Sequence, residues 1–321
     1  MTTKGKVLQA LADGQAVSGE QLGETLGLSR NAVWKAIGQL RKEGYEIEGA
    51  TRRGYRLKAS PDVVTFDEVN RYLTTEAFAR KAEFLANTDS TNNRAKALAA
   101  AGAPHGFLVT ADEQSGGRGR MGRSFFSPGN CGVYLSYILR PKASPERASM
   151  LTSLAAVAVA QAVEALVDAE VKIKWVNDLY LNGRKICGIL SEAGFSMETG
   201  QLDYVVVGIG VNVLPMSFPP ELSDIATSIG NETGAVLSRS RLIAEISNRL
   251  EAMYGQLEAG AFLEESRRRS CVLGRDVTVI EGGRTYPARA LDLDEQGHLV
   301  IQSAEGITHL GYGEVSLKLN R

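Results

Sequence analysis

The residues best equipped for chemistry stand in the stretch Gly116-Gly117-Arg118-Gly119-Arg120-Met121-Gly122-Arg123, three arginines and four glycines in eight positions. Arginine stays charged at physiological pH, and its planar fork matches two oxygens of a phosphate or carboxylate. The glycines between them admit backbone conformations and close approaches that side chains forbid. Such a loop suits an anionic ligand. Gly117, Gly119 and Gly122 also match a dinucleotide fingerprint, but that fingerprint must open a helix. Here Ser124-Phe-Phe-Ser-Pro-Gly-Asn130 follows, a turn-forming run, and no GxxxxGK[ST] phosphate loop occurs elsewhere. Nucleotide chemistry therefore needs another scaffold. A plain RNA-binding tract is disfavoured by the loop's place inside a strand-rich body.

Around that loop the chain alternates short strands and helices from Thr65 to about Ser270. A helix begins at Thr65, and Ala82–Ala86 and Gly106–Ala111 read as strands. Between those strands Asp89-Ser90-Thr91-Asn92 opens a helix that runs to Ala101. Helix N-termini expose unpaired donors, so this turn suits a polar ligand group; the simpler reading is an N-cap and nothing more. Cys131–Leu139 is a strand, and Pro145 opens one long alanine-rich helix. Val171–Val176 alternates as a strand into Asn177-Asp178, followed by Leu179–Leu181, the turn Asn182-Gly183 and the run Arg184–Leu190. Strands near Ile189–Ala193 and Tyr204–Ile209 complete the body. Lys174, Asn177 and Asp178, then Lys185 and Gly188, then Gly210 and Asn212 would surround one pocket.

Residues 1–60 carry ten Lys/Arg against six Asp/Glu, whereas the remainder carries 26 against 31. A basic head on an acidic body points to nucleic acid at the head alone. Lys6–Leu11 begins a helix, Ser18 with Gln21 offers a capping box for a second ending at Gly27, and Ser29 caps a third over Arg30–Lys42. Val33, Ile37 and Leu40 share one face of that third helix, leaving Arg30, Asn31, Trp34, Lys35 and Gln39 outward with Ser29 at its start. These are types that contact bases and phosphates. Tyr45–Glu48 and Tyr55–Leu57 flank a turn with Arg52 and Arg53, which makes a wing. A protein-docking module with a solvated basic face is the competing reading.

Three separated cysteines and three scattered histidines argue against a disulfide framework or a structural zinc. The polar start and the glutamate and glutamine within the most apolar helix argue for a cytoplasmic, non-membrane protein. After Val272 the pattern is purely β, with tight turns near Gly283 and Gly297, which suggests a small SH3-like barrel.

Five motifs in order now carry a resemblance: Asp89-Ser-Thr-Asn92; Gln114 with Gly117-Arg-Gly-Arg-x-Gly122; Lys174-Trp-x-Asn-Asp178; Gly183-Arg-Lys-Ile-x-Gly188; and Gly208-Ile-Gly-x-Asn212. Together with the winged head, the chain resembles biotin protein ligases, in the bifunctional bacterial form that is also the biotin operon repressor. Val176 stands where that family usually has proline. The resemblance implies an α+β chain in three parts: a winged helix-turn-helix over 1–60, a class II synthetase-like mixed-sheet catalytic domain over 65–270, and the SH3-like barrel over 271–321.

It also implies a chemistry. Biotin is activated by ATP, with Mg2+ on the phosphates and no metal site of the protein's own, and the acyl-adenylate is passed to a lysine of the biotin carboxyl carrier protein of acetyl-CoA carboxylase. Biotin is implied to meet Ser90, Thr91, Asn92, Gln114, Gly117, Arg118, Gly119, Arg120, Lys185, Gly188, Leu190 and Gly210. ATP or adenylate is implied to meet Arg118, Arg120, Arg123, Lys174, Asn177, Asp178 and Asn212. Arg120, Lys185 and Asp178 are the catalytic candidates. Operator DNA and a ligand-promoted homodimer are the implied partners of the head. A lipoate or octanoate ligase on the same scaffold, or a biotin-sensing regulator without catalysis, are the alternatives. The intact cationic set Arg118, Arg120 and Lys185 favours an enzyme over a sensor.

Overall fold

The computed structural model describes residues 2–50, 54–142, 144–196, 198–311 and 313–317. The chain divides into two compact units, residues 1–74 with 238–244, and 75–237 with 245–321.

In the first unit, helices α1 (Thr3–Ala10), α2 (Gly19–Leu26) and α3 (Arg30–Lys42) precede strands β1 (Glu46–Ala50) and β2 (Gly54–Ala59), which pair antiparallel. Each helix starts on a hydroxyl cap: Thr2 accepts from the Gly5 N–H, Ser18 from Gln21 and Ser29 from Ala32. The Thr2 cap is why α1 begins three residues before Lys6. Gly27 closes α2 in the left-handed conformation. Val7, Leu8, Leu11, Leu22, Val33, Ile37 and Leu40 interlock with Tyr45, Ile47 and Leu57 in one apolar core. The expected wing is therefore present as a strand pair, while Arg52 and Arg53 of its turn lie outside the described residues. Helix α4 (Phe66–Asn70), expected to open the body, belongs to this unit instead. The Tyr45 hydroxyl donates to Glu68 Oε2 at 3.0 Å, and Arg71 pairs with the same carboxylate.

The second unit is built on a seven-stranded mixed sheet. Its strands are β3 (Ala82–Thr88), β4 (Phe107–Gln114), β5 (Gly132–Leu139), β6 (Lys172–Lys174), β7 (Asp178–Leu181), β8 (Arg184–Phe195) and β9 (Leu202–Asn212). The spatial order is β3-β4-β5-β9-β8-β7-β6, with only β3 and β4 parallel because α5 (Thr91–Ala100) crosses between them. Every residue of β5 is buried, so it is the spine of the sheet. The alanine-rich segment is two helices, α6 (Pro145–Ser149) and the buried α7 (Leu151–Glu164), with Met150 between them. The expected strand 171–176 stops at Lys174; Trp175, Val176 and Asn177 make a turn with a cis Trp175–Val176 peptide. The stretches Arg184–Leu190 and Ile189–Ala193 are one twelve-residue strand.

After α8 (Ile229–Thr233), α9 (Arg239–Tyr254) and α10 (Phe262–Arg269) comes an antiparallel sheet of β10 (Asp276–Glu281), β11 (Arg284–Leu293), β12 (Leu299–Ser303), β13 (Gly306–Leu310) and β14 (Glu314–Leu317). Its order is β13-β12-β11-β10-β14, so β13 and β14 are its edges among the described residues. Val277, Val279, Ala290, Leu299, Ile301 and Val315 pack around Trp175, whose indole N–H donates to the Gly297 carbonyl at 3.0 Å. The C-terminal sheet thus grips the turn that carries Lys174, Asn177 and Asp178.

Candidate active site

Two adjoining cavities open along the β8 and β9 side of the mixed sheet. The first is cationic. Arg118, Gly119, Arg120 and Arg123 from the loop after β4, Lys174, Asn177 and Asp178 from the β6–β7 turn, and Lys185, Gly188 and Leu190 from β8 line it. The second is neutral and lined by Ser90, Thr91, Asn92, Gln114, Gly188, Leu190 and Gly210. Arg118, Phe125, Gly188 and Leu190 border both.

The loop is a tight hairpin. Phe125 N–H donates to the Gly117 carbonyl at 2.8 Å and Gly119 N–H to that of Arg123 at 2.7 Å. This closure needs glycine at 117, where a Cβ would lie 2.4 Å from the Phe125 carbonyl oxygen. Gly117 lines neither cavity, and its place is in the hairpin.

A bulge explains how Lys185 and Gly188 reach the same cleft. In the β7–β8 ladder Leu179 faces Cys187 and Tyr180 faces Lys185, so Ile186 has no partner and the alternation of faces slips by one. Across the next ladder Gly188 lies opposite Gly210. A Cβ at Gly210 would meet the Phe125 ring at 2.6 Å, and one at Gly188 would meet it at 3.2 Å. The glycine pair is the floor on which Phe125 lies.

The neutral cavity is wired by hydrogen bonds. Gln114 Oε1 accepts from the Thr91 N–H at 2.8 Å and from its hydroxyl at 3.1 Å, while Gln114 Nε2 donates to Ser127 at 2.9 Å. Ser136 Oγ lies 2.8 Å from Thr91 Oγ1 and donates to Asn92 Oδ1 at 2.6 Å. Ser90 occupies the N-cap position of α5 without a side-chain cap bond, so the expected hydroxyl cap is absent and Gln114 meets the first donor. The result is a polar lining with neutral donors and acceptors, beside a cleft rich in charge.

In the cationic cavity Lys185 Nζ stands 2.7 Å from Asp178 Oδ1. Asn177 donates to the Ile189 carbonyl at 3.0 Å and accepts from Arg120 at 3.3 Å. Burial pushes the Arg120 guanidinium below its usual pKa, while Asp178 and Glu314 draw it back up. Arg123 makes a two-pronged bond to Glu314 on β14, at 3.0 and 2.7 Å. Burial would raise the Glu314 carboxyl, yet Arg123, Lys174 and Arg120 hold it below the usual carboxylate range. Arg123 therefore ties the loop to the C-terminal sheet as well as facing the cavity.

Asn212 is the other expected residue that lines neither cavity. It sits at the end of β9, 3% exposed, with its amide donated to the Thr227 carbonyl at 3.0 Å. Thr227 in turn donates its N–H to the Lys185 carbonyl at 2.9 Å, so Asn212 supports the strand bearing Lys185. Gly208, which opens the fifth motif, lines the second cavity, whereas Phe125, Glu192 and Glu314 have no place in the sequence expectation. Strand alternation reaches Glu192, because Gly188, Leu190 and Glu192 occupy one face of β8. No local pattern reaches Glu314, which arrives from the C-terminal sheet.

In the first unit Arg30, Asn31, Trp34, Lys35 and Gln39 are all exposed on α3, with Trp34 66% exposed. Ser29 spends its hydroxyl on the helix cap. A bare indole on a basic helix face suits an aromatic-and-cation contact surface.

Known proteins share this layout. Residues 84–212 match the Biotin/lipoate A/B protein ligase family, residues 4–56 an HTH domain and residues 272–318 the Biotin protein ligase C terminal domain. The Bifunctional ligase/repressor BirA of Bacillus spizizenii is 37% identical over 95% of both chains. The protein of the same name from Escherichia coli is 31% identical over 98% of this chain and 96% of its own. The solved biotin protein ligase from Aquifex aeolicus in complex with biotin and ATP superposes with a TM-score of 0.64 at 27% identity, over 74% of this chain and 99% of that one. With its helix-turn-helix head, its ligase core and its C-terminal sheet all matched in order, the chain belongs to the family of bifunctional biotin ligase/repressors.

Proposed function

We propose that this chain joins biotin to a lysine of a biotin carboxyl carrier protein and represses transcription in response to biotin. The observation that carries the ligase reading is the junction of a neutral, hydrogen-bonding cavity with a cationic one. Biotin's ureido ring matches the donors and acceptors of Ser90, Thr91, Asn92 and Gln114, and its carboxylate then faces Arg118, Arg120 and Lys185. ATP phosphates match the charge of Arg120, Arg123 and Lys174. Mg2+ belongs to this reading as the counter-ion of those phosphates.

In the first step a biotin carboxylate oxygen attacks the α-phosphorus, the bond to the bridging oxygen breaks, and pyrophosphate leaves. No enzyme nucleophile is required; positioning and charge stabilisation suffice. In the second step a neutral lysine amine attacks the acyl carbon, AMP departs, and the amine gives up a proton. Asp178, held by Lys185, is the carboxylate that orients the incoming amine. The arginine hairpin closing over the mixed anhydride would keep water from it.

For the head, α3 enters the major groove with Arg30, Asn31, Trp34, Lys35 and Gln39, and an adenylate-promoted homodimer reads two half-sites. The deciding measurement is ATP–pyrophosphate exchange with biotin, and in parallel with lipoate. Biotin-dependent exchange is expected. Exchange with lipoate alone would move the chain to the lipoate branch, and tight biotin binding without exchange would make it a sensor.

A further inference from the structure

Glu192 has no part in the chemistry above, yet it touches both the neutral cavity and the arginine hairpin. Its Oε2 accepts from Asn92 Nδ2 at 2.9 Å. Its Oε1 is shared by two cations, Lys96 Nζ at 2.7 Å and Arg118 Nη1 at 3.3 Å. The same Arg118 nitrogen donates to Asn93 Oδ1 at 3.0 Å. Asn92, Asn93 and Lys96 all lie on α5, so the helix and one strand carboxylate together hold the base of the hairpin.

We propose that Glu192 is a positioning residue for Arg118: it holds the guanidinium until substrate binds and then hands it over to the substrate's own negative charge. Three features support a handover. The Arg118 contact is the longer of the two and its side chain is 45% exposed, so it exchanges more readily than the Lys96 contact. Lys96 stays behind, so Glu192 keeps a counter-charge after Arg118 leaves. Arg118 borders both cavities, which is where the carboxylate and α-phosphate of an acyl-adenylate would meet. Lys96, Asn92 and Arg118 together hold the Glu192 carboxyl below its usual range although burial opposes this. It therefore remains an anion able to perform the exchange.

The inference rests on the ligase reading for the identity of the incoming anion, and its test separates the two. Trypsin cuts after Arg118, Arg120 and Arg123, so cleavage of full-length protein without ligand reports how firmly the hairpin is held. Glu192→Gln keeps an oxygen for Asn92 but loses both ion pairs. Cleavage within 118–123 is expected to be about two- to fivefold faster, the range for a half-exposed ion pair. Lys96→Met, which removes the other cation and leaves Arg118 paired, is expected to cut at the wild-type rate. Added biotin and ATP are expected to bring wild type and Glu192→Gln to the same slow rate.

Equal cutting of wild type and Glu192→Gln would overturn the proposal, as would equal opening by Lys96→Met, which would mean general loosening. A difference that persists with both substrates bound would overturn the handover. Faster cutting in Glu192→Gln without biotin-dependent exchange in wild type would sink the ligase reading and leave the parking contact standing. Biotin-dependent exchange with equal cutting would do the reverse.

Discussion

At the scale of single residues, the anchors differ in how they are held. Arg120 has one long contact, 3.3 Å to Asn177, and a guanidinium whose charge burial disfavours. It gains most from a phosphate. Arg120→Gly is therefore expected to release activated biotin about tenfold faster or more, the worth of one charged hydrogen bond; trapping the escaping adenylate with a free amine measures it, and equal retention would refute the assignment. Gly208 is a steric anchor: a Cβ there would lie 2.0 Å from Asn92 Oδ1, the atom that accepts from Ser136. Gly208→Ala is expected to cost about 1–3 kcal/mol of stability and to weaken biotin binding, read by denaturant unfolding and calorimetry. Residues like Lys174, Asn177 and Asp178 were legible in the sequence because one turn presents all three. Phe125 was not, because its role is to lie on glycines from two strands, and that register exists only in the folded sheet.

At the scale of elements, α10 is a rivet. Arg267 donates to the Leu293 carbonyl, while Arg269, 4% exposed, binds Glu164 of α7 and the Val171 carbonyl ahead of β6. Burial of one of its three consecutive arginines is a tertiary fact that composition does not carry. Arg269→Met is expected to lower unfolding stability by about 1–3 kcal/mol, since it removes charged hydrogen bonds to the partly buried Glu164 and to the Val171 carbonyl. A milder effect belongs to Glu265. Hydrogen bonds from Arg268, with Arg269 adding to them and burial opposing, bring its carboxyl from 4.5 down to about 2. A depressed carboxyl stabilises the fold above its unfolded value and stops doing so as pH falls through its folded one. The advantage of wild type over Glu265→Gln should therefore shrink from about 4.5 towards about 2, and should stay under about 1 kcal/mol because Arg268 is exposed. Denaturant unfolding of both proteins across that window checks it. The helix and strand order of the fold was largely legible from caps and alternation. What was not legible was the break at Met150 and the fusion of two short strands into β8, because both are fixed by what packs against them.

At the scale of the whole molecule, the chain carries a DNA-type head and a ligase-type core. Lys35 on the exposed face of α3 offers a direct test of the head. Lys35→Ala is expected to weaken binding to random-sequence duplex DNA and to reduce the slope of log affinity against log salt by about one; an unchanged slope would remove it from the phosphate contacts. Yet head and core are not sequential modules. Helix α9 gives residues 239–244 to the first unit, together with Ser238 before it, and the rest to the second. Within the first unit the Arg239 guanidinium, 3% exposed, meets Asp62 at 2.6 Å, and the Ser240 hydroxyl donates to the Val63 carbonyl at 2.7 Å. A gene shortened to begin at residue 75 would discard Asp62 and Val63 while keeping the residues shaped to meet them. Shedding residues 1–74 is thus a two-step change for a lineage: the deletion itself, and a matching substitution near position 239, some 160 codons downstream of the cut.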